Sequence, residues 1–376
     1  MKILICWSNI AGYTAACWRS LLEQPGVELE VIAFRPAAGS LARFDPEGVL
    51  AGIPCTLIEQ REPDHELIRR RIDAFKPDVV LTAGWLFPPY RKVLLEEPFR
   101  RISVVMGLDL PWQGTVRQRL APHALRAWLR RVQAVFVCGE RAWQYARKLG
   151  FAESQISRGL YGVDTDRLQR LLERREALPG GWPRAFAFAG RYIDIKGIPD
   201  LQAAYGLYRG RVEDPWPLRC CGSGGYAAAL QAAEGVEDHG FLQPEELAGF
   251  LASAGVYVMP SRFDPWPLAV VEACAAGLPV IATEACGSTV ENVRPAFNGW
   301  LCPTSNPERL ADAMIDAHRS HARLPWMGRN SWQMAQAYAS ERWAERLMGI
   351  ARRLAPTAGR GPAGPQPDDR PEPETP

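Results

Sequence analysis

The sequence predicts an α/β fold made of two doubly wound, Rossmann-like parallel-sheet domains that face a cleft. The chain has 376 residues, which is too many for one ordinary domain. Short apolar runs alternate with amphipathic segments, as expected for parallel strands joined by helical crossovers. This alternation stops at a charged stretch after Asp164 and begins again near residue 185. Because 47% of the residues are hydrophobic and 13 are Trp, there is enough apolar material for two cores.

The first half contains six apolar runs that predict strands. These runs are Lys2–Trp7, Leu29–Phe34, Cys55–Ile58, Asp78–Leu81, Ile102–Val105 and Ala134–Val137. Helical periodicity predicts helices at Tyr13–Glu23, Asp64–Phe75, Arg117–Arg130 and Glu140–Leu149. We therefore expect a first domain over residues 1–163 and an interdomain linker over 164–183.

The second half repeats the pattern and predicts a second domain over residues 184–335. Strands are predicted at Ala185–Ala189, Leu218–Cys221, Val256–Met259 and Pro279–Thr283, and helices near Ile198–Tyr208, Tyr226–Glu234, Glu245–Ser253 and Leu268–Ala275. The segment Trp332–Leu354 reads as one further helix, of which residues 336–354 are expected to pack back toward the first domain. Residues 355–376 are expected to be a disordered tail, since Pro recurs there and Val, Ile, Leu, Met and aromatic residues are missing.

Charge and cysteine usage narrow the class of protein. The 44 Lys and Arg nearly balance the 42 Asp and Glu, which argues against a dedicated nucleic-acid binder. No run approaches the ~20 apolar residues of a membrane span, and polar Ser8 and Asn9 follow the first strand too early for a signal peptide. The nine Cys form no C-x-x-C pair, which disfavours a zinc site and indicates a reducing compartment. We expect a cytoplasmic protein.

Ligands of open parallel sheets bind outside the carboxyl ends of the strands, so the loops after strands are the candidate sites. In the first domain, Gly12 opens a helix where a phosphate could approach backbone amides, although a plain turn explains it equally well. In the second, Gly190 and Gly197 flank Arg191 and Lys196 directly after a buried strand. Two such cations suit a diphosphate, and solvated surface cations are the alternative.

Two later loops add carboxylates to the same edge of the second sheet. Asp264 precedes a helix of small residues, and Glu272 lies eight residues further on within that otherwise apolar helix. A carboxylate there needs a partner, which a ribose diol, a sugar hydroxyl or a buried cation could provide. The loop 285–291, with Ser288, Thr289 and Glu291, could direct the amides of a helix N-terminus into the same cleft.

These motifs in this order resemble the retaining glycosyltransferases of the GT-B fold, of the family-4 type (glycosyl transferases group 1). The resemblance covers nearly the whole chain. It rests on Gly190-Arg191…Lys196-Gly197, on the carboxylate-x7-Glu element Asp264…Glu272, on the run from Ala275 to Thr283, on Gly287…Glu291 followed by Asn298-Gly299-Trp300-Leu301, and on Gly162-Val163-Asp164.

The resemblance implies roles for individual residues. Arg191 and Lys196 would hold the donor diphosphate and stabilise it as it leaves, Asp264 would contact the donor sugar, and Glu272 would bind the ribose. Further donor contacts would come from Gly12, Gly190, Gly222, Leu268, Ala269, Ser288, Thr289 and Glu291, and acceptor-side contacts from Asp109 and Trp112.

The implied activity is retaining, hexosyltransferase-like transfer from a nucleotide-sugar to a glycan, lipid-linked or lipopolysaccharide acceptor, as in polysaccharide biosynthesis. Two fixed cations can neutralise the leaving diphosphate, so no metal and no other cofactor is expected. Three residues depart from the family pattern: Asp264 replaces Glu, Pro267 replaces Gly, and Leu108 replaces a catalytic-side His. A nucleotide-sugar epimerase and a non-catalytic sugar-nucleotide binder remain as alternatives.

Four other motifs allow two readings each. Asp164-Thr165-Asp166 looks like a D-x-D metal site, but Thr165 and Asp166 could instead cap a helix that begins at Arg167. His318 and His321 have a spacing that permits metal binding, but both could equally be solvated surface side chains. The glycine-rich run after Cys221 fits a dinucleotide motif weakly. The resemblance instead implies that this loop lies beside the donor, on the nucleotide side of the cleft.

The fourth is the basic segment Arg117–Arg131, whose cations alternate with Leu120, Leu125, Trp128 and Leu129. It reads either as an ordinary surface helix or as an amphipathic helix that lies on an anionic membrane. The second reading leaves open a peripheral location at the inner face of the membrane.

Overall fold

The computed structural model describes residues 1–36, 45–61 and 63–355. Apart from Ala355, the predicted tail 355–376 lies outside the described residues. Within the described residues, none of the helices is both long and apolar enough to cross a membrane.

The first domain is built on a parallel sheet that has seven strands in the part of the chain described. They are β1 (Lys2–Trp7), β2 (Glu28–Phe34), β3 (Cys55–Ile58), β4 (Val79–Ala83), β5 (Ser103–Leu108), β6 (Ala134–Val137) and β7 (Ile156–Arg158). Their order is β3-β2-β1-β4-β5-β6-β7, so the direction of winding reverses between β1 and β4. The sequence missed β7, because an edge strand of three residues carries too short a pattern to recognise.

The helices of the first domain follow the strands. They are α1 (Gly12–Leu22), α2 (Pro46–Leu50), α3 (His65–Phe75), α4 (Pro88–Leu94), α5 (Val116–Ala124), α6 (Arg126–Arg131) and α7 (Glu140–Lys148), with 3-10 turns at Glu97–Phe99 and Glu153–Gln155. The single helix predicted over Arg117–Arg130 is wrong, because α5 ends at Ala124 and α6 starts after Leu125. Pro122 lies inside α5 and has no N–H to donate to the helix.

The second domain repeats the architecture with a six-stranded parallel sheet, again counted over the described residues. Its strands are β8 (Phe186–Ala189), β9 (Leu218–Cys221), β10 (Val236–Asp238), β11 (Val256–Met259), β12 (Val280–Thr283) and β13 (Gly299–Cys302). The order β10-β9-β8-β11-β12-β13 places the switch point between β8 and β11. The loops after these two strands are therefore the expected ligand site of this sheet. The sequence missed the two edge strands, β10 and β13.

Nine α-helices complete the described chain. They are α8 (Thr165–Glu176), α9 (Ile198–Arg209), α10 (Ala227–Gln231), α11 (Pro244–Ala252), α12 (Leu268–Ala275), α13 (Thr289–Asn292), α14 (Pro307–Arg319), α15 (Leu324–Ala335) and α16 (Ser340–Leu354), and 3-10 turns lie at Asp194–Lys196, His321–Arg323 and Gln336–Tyr338. Together with the two sheets they confirm the predicted fold of two doubly wound parallel-sheet domains.

The segment predicted as a linker, 164–183, contains the ordered helix α8, which packs against the second domain. Arg175 of α8 is fully buried and donates hydrogen bonds to the carbonyls of Ala254, Ala276 and Leu251. Its guanidinium also lies 5.1 Å from the ring centroid of Trp182. The charged pattern of this segment therefore marks a helix with one solvated face rather than an irregular connection.

The single helix predicted over Trp332–Leu354 is broken where the chain returns to the first domain. After the 3-10 turn, Ala339 is extended and pairs with Val163. The Val163 N–H donates to the Tyr338 carbonyl, and the Ser340 N–H donates to the Val163 carbonyl. α16 then packs against α1, and the Trp343 indole N–H donates to the carbonyl of Leu160.

The basic segment Arg117–Arg131 does not form the continuous amphipathic helix on which both readings of its sequence were based. Trp128 and Leu129 are buried in the core, and Arg131 is buried with its guanidinium bonded to three backbone carbonyls. The exposed apolar side chains are instead Val116 and Leu120, which are 73% and 58% exposed and lie one turn apart on α5.

Candidate active site

The loop after β8 brings the two predicted cations to the switch point of the second sheet. Arg191 and Lys196 lie in this loop, and a 3-10 turn ends at Lys196. Gly197 follows with φ of 71°, and a Cβ there would lie 2.0 Å from the carbonyl oxygen of Pro260. The loops after β8 and β11 are therefore in direct backbone contact, which only glycine permits at this position.

Lys196 forms an ion pair with Asp264, which comes from the loop after β11. Asp264 is 8% exposed. Its backbone is fixed by the next loop, because the Gly287 N–H donates to the Asp264 carbonyl at 2.9 Å. The structure thus brings together two side chains that the sequence assigned separately to diphosphate and sugar.

The side chain of Arg191 is exposed and makes no hydrogen bond or ion pair to any residue that the structure describes. A guanidinium has five N–H donors in a planar fork that matches phosphate oxygens. Lys196 in turn has three N–H donors, of which the ion pair occupies one. Both cations therefore retain donors that could reach a phosphate.

Helix α12 begins beside this pair. Pro267 occupies its N-cap position without a side-chain hydrogen bond, so the amides of Leu268 and Ala269 open the helix without an intrahelical acceptor. Ser288 and Thr289 do not face outward. The Ser288 hydroxyl donates to the Pro267 carbonyl, and the Thr289 hydroxyl donates to the Cys286 carbonyl. Their side chains therefore stabilise the loops before and after α12 through hydrogen bonds.

Glu272 lines a cavity of about 100 Å³ between the two domains, together with Gly12, Arg167 and Pro244. Its carboxylate has no hydrogen bond or ion pair to a described residue. Burial raises its pKa to about 7, and the charge of Arg167 partly opposes the rise. Gly12 opens α1 against Pro244, with which an added Cβ would be in ordinary contact at 3.4 Å. The carboxylate predicted within the apolar helix is thus at the domain interface and has no partner among the described residues.

Gly190 and Gly222 let the loops after β8 and β9 approach each other. A Cβ at Gly222 would lie 1.8 Å from the Gly190 carbonyl oxygen. The Gly190 N–H in turn donates to the carbonyl of Cys221. Because these two residues have no side chain, the backbones of the two loops can lie in contact at the base of the site.

Glu291, a predicted donor-side residue, contacts the first domain across the cleft. Its carboxylate accepts a hydrogen bond of 2.7 Å from the Glu140 N–H at the start of α7. The same carboxylate accepts a longer bond, 3.4 Å, from the indole of Trp266. Because α7 has no side-chain cap of its own, Glu291 supplies the cap from the opposite domain. This side chain therefore joins the two domains through its bond to the Glu140 N–H.

Asp109 lies in the loop after β5, on the first-domain wall of the cleft. The Tyr161 hydroxyl donates to its Oδ2 at 2.9 Å. Burial raises the pKa of Asp109, the bond from Tyr161 lowers it, and the charge of Asp264 raises it further. Leu108 is buried and points no polar group into the site.

Three aromatic side chains at this wall were missed by the sequence analysis. The ring of Tyr161 packs edge-on against Trp7 and Tyr13, and lies 5.9 Å from Trp266 of the second domain. Tyr161 directly precedes the recognised Gly162-Val163-Asp164, which was the available signal. Trp112, a predicted acceptor-side residue, is partly covered by Tyr145, with the ring centroids 5.6 Å apart.

The motifs with metal-like spacing have structural partners. Asp164, rather than Thr165 or Asp166, caps α8 by accepting from the Arg167 N–H at 3.0 Å. His318 bonds to the Tyr208 hydroxyl and His321 to the Trp182 carbonyl, each at 2.8 Å. Among the described residues, no group of three or more His, Cys, Asp or Glu is arranged to hold a metal ion.

Sequence comparison finds a family model that matches most of the second domain. Residues 171–331 match the family model described as glycosyl transferases group 1. Among curated proteins, a D-inositol 3-phosphate glycosyltransferase of Paenarthrobacter aurescens (strain TC1) is 28% identical over 223 residues, which are 50% of this chain and 54% of that protein. The chain spans about half the length, or less, of the curated relatives it matches.

Solved structures of the same architecture cover nearly all of the chain. Anabaena Alr3699/HepE, crystallised in complex with UDP and glucose, has a TM-score of 0.72 at 14% identity and covers 94% of this chain and 100% of its own. The pneumococcal O-GlcNAc transferase GtfA, in complex with UDP and GlcNAc, has a TM-score of 0.71 at 12% identity, covering 95% and 99%. These likenesses confirm the two-domain fold.

Proposed function

We propose that the chain is a group 1 glycosyltransferase and that it transfers a sugar from a nucleotide-sugar donor, with retention of configuration. The family match over residues 171–331 and the GT-B fold support this proposal. The observation that carries this proposal is the convergence of Arg191, Lys196 and Asp264 at the switch point of the second sheet. In this proposal the donor diphosphate binds the two cations and the sugar lies beside Asp264.

The chemistry assigned to this chain is stabilisation of the leaving diphosphate. As the bond between the sugar and the phosphate breaks, negative charge grows on the phosphate oxygens, and fixed cations stabilise that charge more than they stabilise the ground state. Arg191 offers a planar fork and Lys196 offers its two remaining N–H donors. The unpaired amides of Leu268 and Ala269 add the positive end of α12 to the same region.

We assign the nucleoside half of the donor to the cavity at Glu272. This carboxylate lies between the domains without a partner in the part of the chain that the structure describes, and the two hydroxyls of a ribose would supply the hydrogen bonds it lacks. UDP is the nucleotide we propose, on the strength of the fold neighbours crystallised with it. No metal is required in this scheme, because Arg191 and Lys196 provide the positive charge.

The donor can be tested by incubating the protein with UDP-, GDP- and ADP-linked hexoses, before and after exhaustive chelation of metals. We expect slow hydrolysis of a UDP-hexose that chelation does not affect. An isomerised sugar would instead indicate an epimerase, and binding without turnover a non-catalytic binder. Complete loss of hydrolysis on chelation, with rescue by Mn²⁺ or Mg²⁺, would contradict the metal-independent scheme.

We further propose that the acceptor is a lipid-linked sugar or glycan and that the first domain docks on an anionic membrane through α5. The support is the exposed pair Val116 and Leu120 beside the exposed cations Arg117 and Arg119. Apolar side chains that enter the interface next to cations that meet anionic headgroups are typical of membrane-surface helices. Each cation near such a leaflet contributes about 1 kcal/mol.

The membrane surface can be tested by replacing Arg117 and Arg119 with Gln and Leu120 with Ser. We expect this variant to lose sedimentation with anionic vesicles at low salt and to keep wild-type hydrolysis of the donor, since the donor binds the other domain. The matched control replaces the exposed Arg174 and Arg319 with Gln. If the wild-type protein does not sediment with these vesicles, or if the control variant is weakened equally, α5 does not dock on membranes.

A further inference from the structure

We propose that Glu291 and Arg141 are positioning residues that fasten the loop after β12 to the first domain and thereby hold Asp264 in place for the donor sugar. The inference rests on the proposed function, because it takes Asp264 as the residue beside that sugar. It goes beyond it by making the sugar site depend on contact between the two domains. The loop consists of residues 284–291, and we call its two hydrogen bonds to α7 the latch.

The first observation is that the two bonds of the latch cross the cleft in opposite directions. The Glu291 carboxylate of the second domain accepts from the Glu140 N–H at 2.7 Å. The Arg141 guanidinium of the first domain donates to the Glu284 carbonyl, also at 2.7 Å. Both ends of the loop are therefore bonded to the first turn of α7.

The second observation is the close fit of Glu291 against the first domain. A Cβ added at Gly139, the residue before α7, would lie 2.5 Å from a carboxylate oxygen of Glu291 and 2.9 Å from the indole nitrogen of Trp266. The carboxylate can therefore reach α7 because residue 139 has no side chain. The Trp266 N–H donates to the other carboxylate oxygen at 3.4 Å and orients the carboxylate from the side of the second domain.

The third observation is that the same loop is bonded to the backbone of Asp264. The Gly287 N–H donates to the Asp264 carbonyl at 2.9 Å, and the Asp264 N–H donates to the Ala285 carbonyl at 3.4 Å. A Cβ at Gly287 would lie 1.7 Å from the carbonyl oxygen of Pro265, so the two backbones are in direct contact. Because closely packed segments transmit displacements, a loop released from α7 moves Asp264 with it.

The consequence of such a movement concerns the rate of the reaction. A misplacement of about 1 Å in a group at the reacting centre can lower a rate ~10²-fold. The side chains assigned to the diphosphate and the ribose, Arg191, Lys196 and Glu272, lie outside residues 284–291. Loss of the latch should therefore lower turnover more than it lowers the affinity for UDP.

The test compares the wild-type protein with Glu291→Ala, Glu291→Gln and Arg141→Ala. It measures turnover of the UDP-hexose at saturating donor, the affinity for UDP by calorimetry, and the melting temperature. We expect Glu291→Ala to lower turnover on the order of tenfold and to change the UDP affinity less than about twofold, with a smaller loss of turnover in Arg141→Ala. Glu291→Gln keeps an oxygen that accepts from the Glu140 N–H, so it should restore most of the turnover. If Gln is as damaging as Ala, the carboxylate charge acts in the chemistry and the positioning role is wrong.

A double-mutant cycle tests whether Glu291 acts through Asp264. Glu291→Ala should lower turnover much less in an Asp264→Asn background than in the wild-type background, because the residue that the latch positions has already lost its charge. Two losses that simply multiply would overturn the inference.

Hydrogen exchange of residues 260–268 and 284–291 tests the latch without any donor. Exchange in both segments should be faster in Glu291→Ala than in the wild-type protein, and unchanged exchange would overturn the latch alone. The matched controls are Glu284→Ala, which removes an exposed carboxylate but keeps the carbonyl that Arg141 binds, and Lys148→Ala at the far end of α7. Both controls should leave turnover and exchange unchanged, and equal effects in them would contradict the inference. If the wild-type protein turns over no UDP-hexose, the proposed function is wrong and the role of Asp264 with it.

Discussion

Replacing Arg191 and Lys196 together with Ala should lower donor turnover by at least on the order of 10²–10³-fold, because loss of a single donor in comparable oxyanion sites costs about 2.7–4 kcal/mol. Each single variant should show part of this loss. The measurement is the rate of sugar release from the UDP-hexose that the donor panel identifies, with the donor saturating and with it dilute. Because the cations act mainly on the leaving group, turnover at saturation should fall more than affinity for UDP.

The two cations differ in what their removal does to the folded protein. The Arg191 side chain is exposed and has no partner among the described residues, so Arg191→Ala should leave the melting temperature unchanged. Any loss of turnover in this variant then reports on catalysis and not on folding. Lys196→Ala leaves the buried Asp264 without its counterion, so its melting temperature must be measured alongside its rate. The matched control replaces the exposed Arg294 and Arg319 with Ala. Near-normal turnover of the double variant would overturn the proposed role of this pair.

The elements that carry this site were predictable because their sequence pattern is local. β8 and β11 are short apolar runs, and α12 is a run of small apolar residues with one acid, so Arg191, Lys196, Asp264 and Glu272 could be placed on loops and a helix from periodicity alone. Parallel sheets then bring such loops to one edge. The fold was predicted from the same local periodicity and from the same rule for parallel sheets.

Contacts between distant segments were not predictable in the same way. The Lys196–Asp264 ion pair and the cap that Glu291 provides for α7 join residues 68 and 151 positions apart, and no local pattern encodes such pairs. The break at Ala339 has the same origin, because its backbone pairs with Val163 of the first domain. Trp128 is a further case. Its spacing among arginines is typical of a surface helix, but its side chain is buried in the core.

Helix α8 shows how strongly one buried side chain can tie the domain junction to the second domain. Arg175 donates to three backbone carbonyls there, and no carboxylate pairs with it among the described residues. An apolar replacement of similar length removes the desolvation penalty of a buried charge. It also leaves these carbonyls without donors, which destabilises the fold by about 1–3 kcal/mol for each carbonyl. The penalty of the unsatisfied carbonyls is larger than the desolvation penalty that is removed, because the hydrogen bonds of the buried guanidinium already offset much of its desolvation.

We therefore expect Arg175→Met to lower the free energy of unfolding of the second domain by about 3 kcal/mol. Urea and thermal unfolding followed by tryptophan fluorescence measure this loss, since Trp182 lies against the Arg175 guanidinium and should report the change directly. Arg174→Met on the exposed side of the same helix is the matched control and should shift the midpoints little. If the two variants unfold at the same urea concentration, the carbonyls around Arg175 are satisfied in some other way and α8 is held mainly by its apolar face.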